Sequence, residues 1–355
     1  MSIDDGGSGG ITALLDAPTP PPAPAPTTDK RKRLLVILGI IAGLLAIVAA
    51  VLFWYLLTHK PLSQIPILGH ETMPTYQSSI YGADRPLGVA VSPDGQRIYV
   101  TESGAKRDVA AFDTTTGKKV VTFKAPTDRP KGSAYTPIYV AVSPRDGSVY
   151  VTDNMADRVY VYTSGGTYQR TVKPIGLTGT WVPLAIAIDA SGNVYITETG
   201  GKDAHRVVVL DPTDKVLRTL APKDSPMLFP NGVAVDKDGN VFVSDSNNGR
   251  MLAFNSNGDV IGGAKRGVGD GDLGLPRGIA TDGGDRTYVV DTTNQTVKAY
   301  KLNGDGSNRI LSIGSFGDEG IGEGLFEYPN GISIDSQSHI FVTDRANNRI
   351  QVWSL

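Results

Sequence analysis

Two hydrophobic patterns divide the chain. The first is continuous: "LLVILGIIAGLLAIVAAVLFWYLL", Leu34–Leu57, runs for 24 residues without a charge. As a helix rising about 1.5 Å per residue, it is long enough to span a hydrocarbon core about 30 Å thick. The second pattern is broken and periodic. In "FPNGVAVDKDGNVFVSDSNNGRMLAF", residues 229–254, "GVAV" is a short apolar run of the kind buried on both faces. "DKDG" supplies a hairpin in which Gly239 can take positive φ. "NVFVSD" alternates like a half-buried strand, "RMLAF" is a third strand, and "DVIGG" a weaker fourth.

This unit recurs. Copies aligned on Pro86, Pro137, Pro183, Pro230, Pro276 and Pro329 are separated by 51, 46, 47, 46 and 53 residues. A single four-stranded antiparallel sheet cannot bury both faces, whereas a ring of such sheets can. Six copies predict an all-β fold, a six-bladed β-propeller, over residues 75–355. The last copy ends on its third strand, "NRIQVWSL", so its outer strand must come from elsewhere. "TYQSSIYG", residues 75–82, resembles the fourth strand of the second unit, "TYQRTVKPIG". It is expected to complete the last blade and lock the ring with ladder hydrogen bonds.

The pattern P-x-G-[VI]-[AS]-[VI]-D-x-x-G-N-[VI]-[YF]-V-[TS]-D resembles the NHL repeat, with the fourth and sixth copies matching best. The Gly-rich loops "GVGDGDLGLPRG" and "GDEGIGEGLFEYPNG" are similar to that family's connections between blades. The resemblance implies a propeller used mainly as a binding platform. Its known relatives include sensor domains of bacterial receptor kinases, RNA-binding propellers, and a few lyases and lactonases.

The remaining segments set the context. Residues 1–33 hold "APTPPPAPAPTT", which forms neither helix nor central strand, and then the basic run "KRKR". Trp54 and Tyr55 suit a membrane interface. The apolar run exceeds a signal peptide's usual core of about 7–15 residues, and no A-x-A site follows it. The basic excess before the span predicts a single-pass anchor in the lipid bilayer, with a cytoplasmic tail (1–33), a linker (58–74) and an extracytoplasmic propeller.

Recurrent acids end the second strands: Glu102, Asp153, Glu198, Asp245, Asp291 and Asp344. A carboxylate repeated in every blade is scaffold rather than a single active site. Arg158, Arg250 and Arg349 follow five residues later and are expected to pair with those acids across the turn. Blade three delays its Arg206, blade one has Arg107, and blade five has Thr296.

Chain direction places the Pro positions, the turns from second to third strand and the Gly-rich loops on one rim. Leu87, Ile138, Leu184, Asn231, Arg277 and Asn330 follow the prolines there. The candidate contact site is Asn231, Arg277 and Asn330, with aromatic surface from Tyr139, Trp181 and Tyr328; Phe229 lies nearby. It suits a protein, peptide or glycan at the cell surface, since aromatics and Arg carry most interface energy.

Composition narrows the chemistry. No cysteine is present, which excludes disulfides, thiolate nucleophiles and Cys-ligated zinc. Five of the 34 basic and four of the 36 acidic residues precede Pro61. The 29 and 32 that remain argue against a nucleic-acid partner. His205 and His339 lie on opposite rims, too far apart for a shared zinc. A metal-dependent lactonase-like or lyase-like enzyme is the alternative. There Asn231 and Asp245 would hold a divalent cation such as calcium, but Leu87 stands where such enzymes place an acid. The acidic loops around Asp270 and Glu323 lack the spacing of a calcium loop. The reading is a recognition module with no catalytic residues and no cofactor.

Overall fold

The computed structural model describes residues 28–57, 71–201, 205–302 and 310–355. The Pro-rich tail before residue 28 and linker positions 58–70 lie outside the described residues. A helix runs Thr28–Leu57, starting six residues before the apolar run. It contains one stretch, Lys32–Trp54, long and apolar enough to cross a membrane. Side chains from Lys32 to Val51 are exposed, as an apolar surface facing lipid would be.

The second unit is six four-stranded antiparallel sheets. Blade four is Pro230–Val235, Val241–Asp245, Arg250–Phe254 and Val260–Ala264, matching the sequence pattern strand for strand. Aspartates such as Asp236 fold the first hairpin, accepting the Asp238 N–H at 2.9 Å and the Asn240 N–H at 2.8 Å. Gly239 takes φ +80° there.

The inner strands crowd the ring's centre, and this explains the P-x-G glycines. A Cβ on Gly232 would lie 2.2 Å from the Arg277 carbonyl oxygen; one on Gly331 would lie 2.4 Å from that of Leu87. Blade two has Tyr139 at this position and blade three Ala185.

In blades one, two and six the Thr before the strand-ending acid fastens the blade to its neighbour. Thr101 accepts the Gly88 N–H at 2.8 Å within its blade and donates to the Ile138 carbonyl of the next at 2.6 Å. Thr343 does the same with the Gly331 N–H and the Leu87 carbonyl, joining blade six to blade one. Apolar side chains fill the wedges between sheets. Phe123 meets Tyr99 at 5.7 Å and Tyr162 at 5.1 Å between blades one and two.

The ring closes as the sequence predicts. Blade six is Pro329–Ile334, His339–Asp344 and Arg349–Ser354, with Thr75–Tyr81 as its outer strand. That strand pairs antiparallel with the third, Ile80 opposite Ile350 and Tyr76 opposite Trp353. The chain just before it also docks: Glu71 pairs with Arg286 at 2.9 Å and Lys301 at 3.1 Å on blade five. From the other side, Glu323 of the Gly-rich loop accepts hydrogen bonds from Tyr76, Tyr81 and Ser79 of the closing strand.

Those hydroxyl donors, chiefly Tyr76 and then Tyr81, with Arg349 nearby, lower the Glu323 carboxyl to about 2. A depressed carboxylate pKa stabilises the fold above the unfolded-state value, and that contribution fades as pH falls toward 2. The effect is modest because the side chain is half exposed. We expect wild type to melt above Glu323→Gln at pH 6, with the difference shrinking below pH 4.5 and vanishing near pH 2. Melting curves of both chains across that range check this; a constant difference would contradict it.

Candidate functional site: the channel mouth and its rim

All six recurrent acids are buried. Their shared task is to hold the chain entering each blade. Asp84 N–H donates to Glu102 at 2.9 Å, Leu228 N–H to Asp245 at 2.6 Å, and Glu327 N–H to Asp344 at 2.7 Å. Gly274 and Leu275 N–H groups bind Asp291 in the same way. The scaffold reading of the acids therefore has a specific geometry that the sequence did not reveal.

The arginine pairing holds in three blades. Arg250 reaches Asp245 at 2.6 Å and Arg349 reaches Asp344 at 2.7 Å. Arg206 reaches Glu198 at 2.7 Å despite its longer turn. In blade one Lys119 of the outer strand binds Glu102 at 3.0 Å. Blade two departs from expectation. Arg158 donates to the adjacent Asp157 carbonyl instead, and Asp153 accepts backbone N–H groups, those of Thr136 and Ala156 among them. The motif is intact there, so spacing alone gave no sign of the difference.

The candidate contact residues divide into an interior and a surface set. Tyr139 stands where four of the other blades have Gly, and its ring crosses the channel. Its hydroxyl donates to Asn231 Oδ1 at 2.6 Å and accepts from Asn330 Nδ2 at 3.3 Å. Asn330 Oδ1 accepts from Arg277 Nη1 at 3.2 Å. Side chains from blades two, four, five and six thus form one chain of hydrogen bonds. Tyr139, Asn231 and Asn330 are 7%, 4% and 3% exposed, so they close the channel mouth rather than offer aromatic or amide surface. Burial pushes the Tyr139 hydroxyl up to about 12, keeping it protonated as a donor.

The channel also holds a small space of about 40 Å³, lined by the side chains of Val89, Ile186, Val233, Ile279 and Ile332 and by the backbone of the P-x-G glycines. The alternative cation pair does not fit a metal. Asn231 Oδ1 is taken by Tyr139, and Asp245 oxygens bind Arg250, Asn248 and Leu228 N–H. Among the described residues no three His, Cys, Asp or Glu side chains converge as metal ligands.

The surface set comes from blades one, four and six: Tyr328 is 58% exposed, and Phe229 and Arg85 are exposed too, each preceding an inner-strand proline. All three take positive φ, of 52°, 59° and 50°. This is a costly conformation for bulky residues, worth about 1–3 kcal/mol. Each is held by a clasp from the preceding blade. Asn348 Oδ1 binds the Arg85 N–H at 2.9 Å, His205 Nδ1 the Phe229 N–H at 2.7 Å, and Gln295 Oε1 the Tyr328 N–H at 3.0 Å. His205, assigned no role from the sequence, is one of these clasps. The altered turns of blades three and five supply two of the three.

The rim is also basic. Burial, reinforced by repulsion from Arg85 and Arg277, holds the Arg345 guanidinium below its usual range. Arg277 Nε is buried without a partner. Trp181 is half-buried against the core of blade three, and its indole N–H has no partner.

The fold and this rim define the class: a six-bladed β-propeller with a closed channel and an exposed, cationic and aromatic face. The chain carries NHL repeats. The family model of that repeat matches residues 227–254 and 326–353, and that of Major royal jelly protein matches residues 98–173. E3 ubiquitin-protein ligase TRIM71 of Rattus norvegicus is 54% identical over 43 residues, 12% of this chain and 5% of that protein. Probable peptidyl-alpha-hydroxyglycine alpha-amidating lyase pgal-1 of Caenorhabditis elegans is 30% identical over 88 residues, 23% of this chain and 25% of that protein. The aligned part is thus a quarter or less of each relative's length. The Streptogramin B lyase structure shares the fold with a TM-score of 0.53 at 13% identity, covering 80% of this chain and 98% of that one.

Proposed function

We propose that this protein is a single-pass membrane protein, its tail cytoplasmic and its propeller extracytoplasmic, that recognises a protein, peptide or glycan partner through the proline-side rim. The observation that carries this reading is the clasped display of Arg85, Phe229 and Tyr328. Strained backbone kept in place by dedicated side chains is a mark of a working surface. The mutual repulsion of Arg85, Arg277 and Arg345, none in an ion pair among the described residues, adds a preference for an acidic partner. The apolar helix and the basic run before it support the anchor and its direction. The matches to NHL repeats support a binding role rather than a chemical one.

The second reading is a metal-dependent lactonase-like or lyase-like enzyme. It is favoured by the similarity to the amidating lyase and the shared fold of the streptogramin lyase. It is opposed by the engagement of Asn231 and Asp245 with other protein groups.

The test is recovery of the partner with the detergent-extracted full chain. Arg85→Glu and Tyr328→Ala should each lower partner recovery about tenfold, and Gln337→Ala on the opposite rim should leave it unchanged. Equal recovery from all three would overturn the rim as the contact face.

A further inference from the structure

Blade two keeps Arg158 in register with the arginines that neutralise buried acids elsewhere, yet does not use it that way. Asp153 has no ion-pair partner within its blade; burial pushes it above the usual carboxylate range, and backbone N–H groups and, at longer range, Arg129 only partly offset this. The released guanidinium instead lines a hollow of about 630 Å³ on the proline-side rim between blades two and three. That volume lies in the range typical of small-ligand sites.

The hollow collects complementary groups. Arg129 comes from the loop entering blade two, Arg158 from its third strand, and Lys173 from the end of its outer strand. Arg129 and Lys173 side chains make no ion pair among the described residues. The one carboxylate in the lining, Asp128, accepts from the Tyr168 hydroxyl at 3.3 Å. Trp181 and Ile175 give an apolar wall, and the Trp181 indole N–H is buried with no partner. Three cations, one acid and an unused donor beside an apolar wall select an oxyanion on an organic body.

We propose that this hollow is a binding site for a small organic anion, a carboxylate or phosphate carried on a body of about hexose size. The anion lies between Arg129, Arg158 and Lys173, and the body packs on Trp181. The site is independent of the partner contact proposed above, since neither Tyr328 nor Arg85 lines it.

The chain has three tryptophans, so indole ¹⁵N labelling of the full chain in detergent gives three signals, with Trp181→Phe assigning one. The probes are glucose, glucuronate and glucose 6-phosphate. A saturable shift of the Trp181 signal with either acid, and none with glucose, supports the site; the acid that binds tells carboxylate from phosphate. Arg129→Gln with Arg158→Gln should raise Kd at least tenfold while the other two indole signals stay in place. No saturable shift with either acid, an equal shift with glucose, or unchanged binding in the double variant overturns the proposal.

Discussion

Replacing Arg349 by alanine should destabilise the propeller by about 3–5 kcal/mol, because it leaves a buried carboxylate uncompensated. Arg349 is 3% exposed and binds Asp344 through Nε at 2.7 Å. Its Nη2 binds the Gly322 and Leu325 carbonyls and its Nη1 faces Glu323, so it also anchors the loop that meets the closing strand. Gln351 and Asn347 amides remain on Asp344 after the change, but neither carries charge. The melting temperature should fall on the order of 10 °C. Arg158→Ala, at the same motif position in blade two, should cost about 1 kcal/mol or less, since no buried acid depends on it. Thermal or denaturant unfolding of the two variants checks the contrast. Equal losses would mean that Arg158 does neutralise Asp153.

Removing the closing strand should have the other large effect. Deleting residues 75–81 takes away the fourth strand of blade six. It also uncovers the packing of Ile80 with Phe341 and Ile350, and of Tyr76 with Trp353. The third strand would become an unpaired apolar edge, a template for association. We expect loss of cooperative unfolding and aggregation, partly reversed by adding a peptide of residues 71–82. The milder Ile80→Ala should cost about 2–5 kcal/mol. Unchanged cooperative melting after the deletion would show that the ring closes without this strand.

The architecture was legible because its signals are local and repeated. Each hairpin carries its own Asp and Gly, each inner strand its proline, and the short last repeat announced a strand supplied from residues 75–82. The site was legible only in position. Asn231, Arg277 and Asn330 were placed near the channel from chain direction, but the burial of Asn231 and Asn330 follows from Tyr139. A residue two blades away from Asn231 and from Asn330 reaches both only because a large ring replaces Gly. The clasps were illegible for a similar reason, since His205, Gln295 and Asn348 act on the next blade's backbone, far away in sequence. Arg158 is the sharpest case: the same spacing that pairs Arg250 with Asp245 fails in blade two, where the surrounding loops differ. The Thr of V-T-D was visible as a pattern, but its bond to the neighbouring inner strand needed the ring.

The central claim is that recognition belongs to the proline-side rim. A photo-activatable phenylalanine analogue placed at Phe229 or Tyr328, and separately at Gln337 on the opposite rim, tests it in the membrane-bound full chain. The account predicts a discrete cross-linked product from the first two positions, diminished by Arg85→Glu, and none from Gln337. A product formed at Gln337 alone would contradict it.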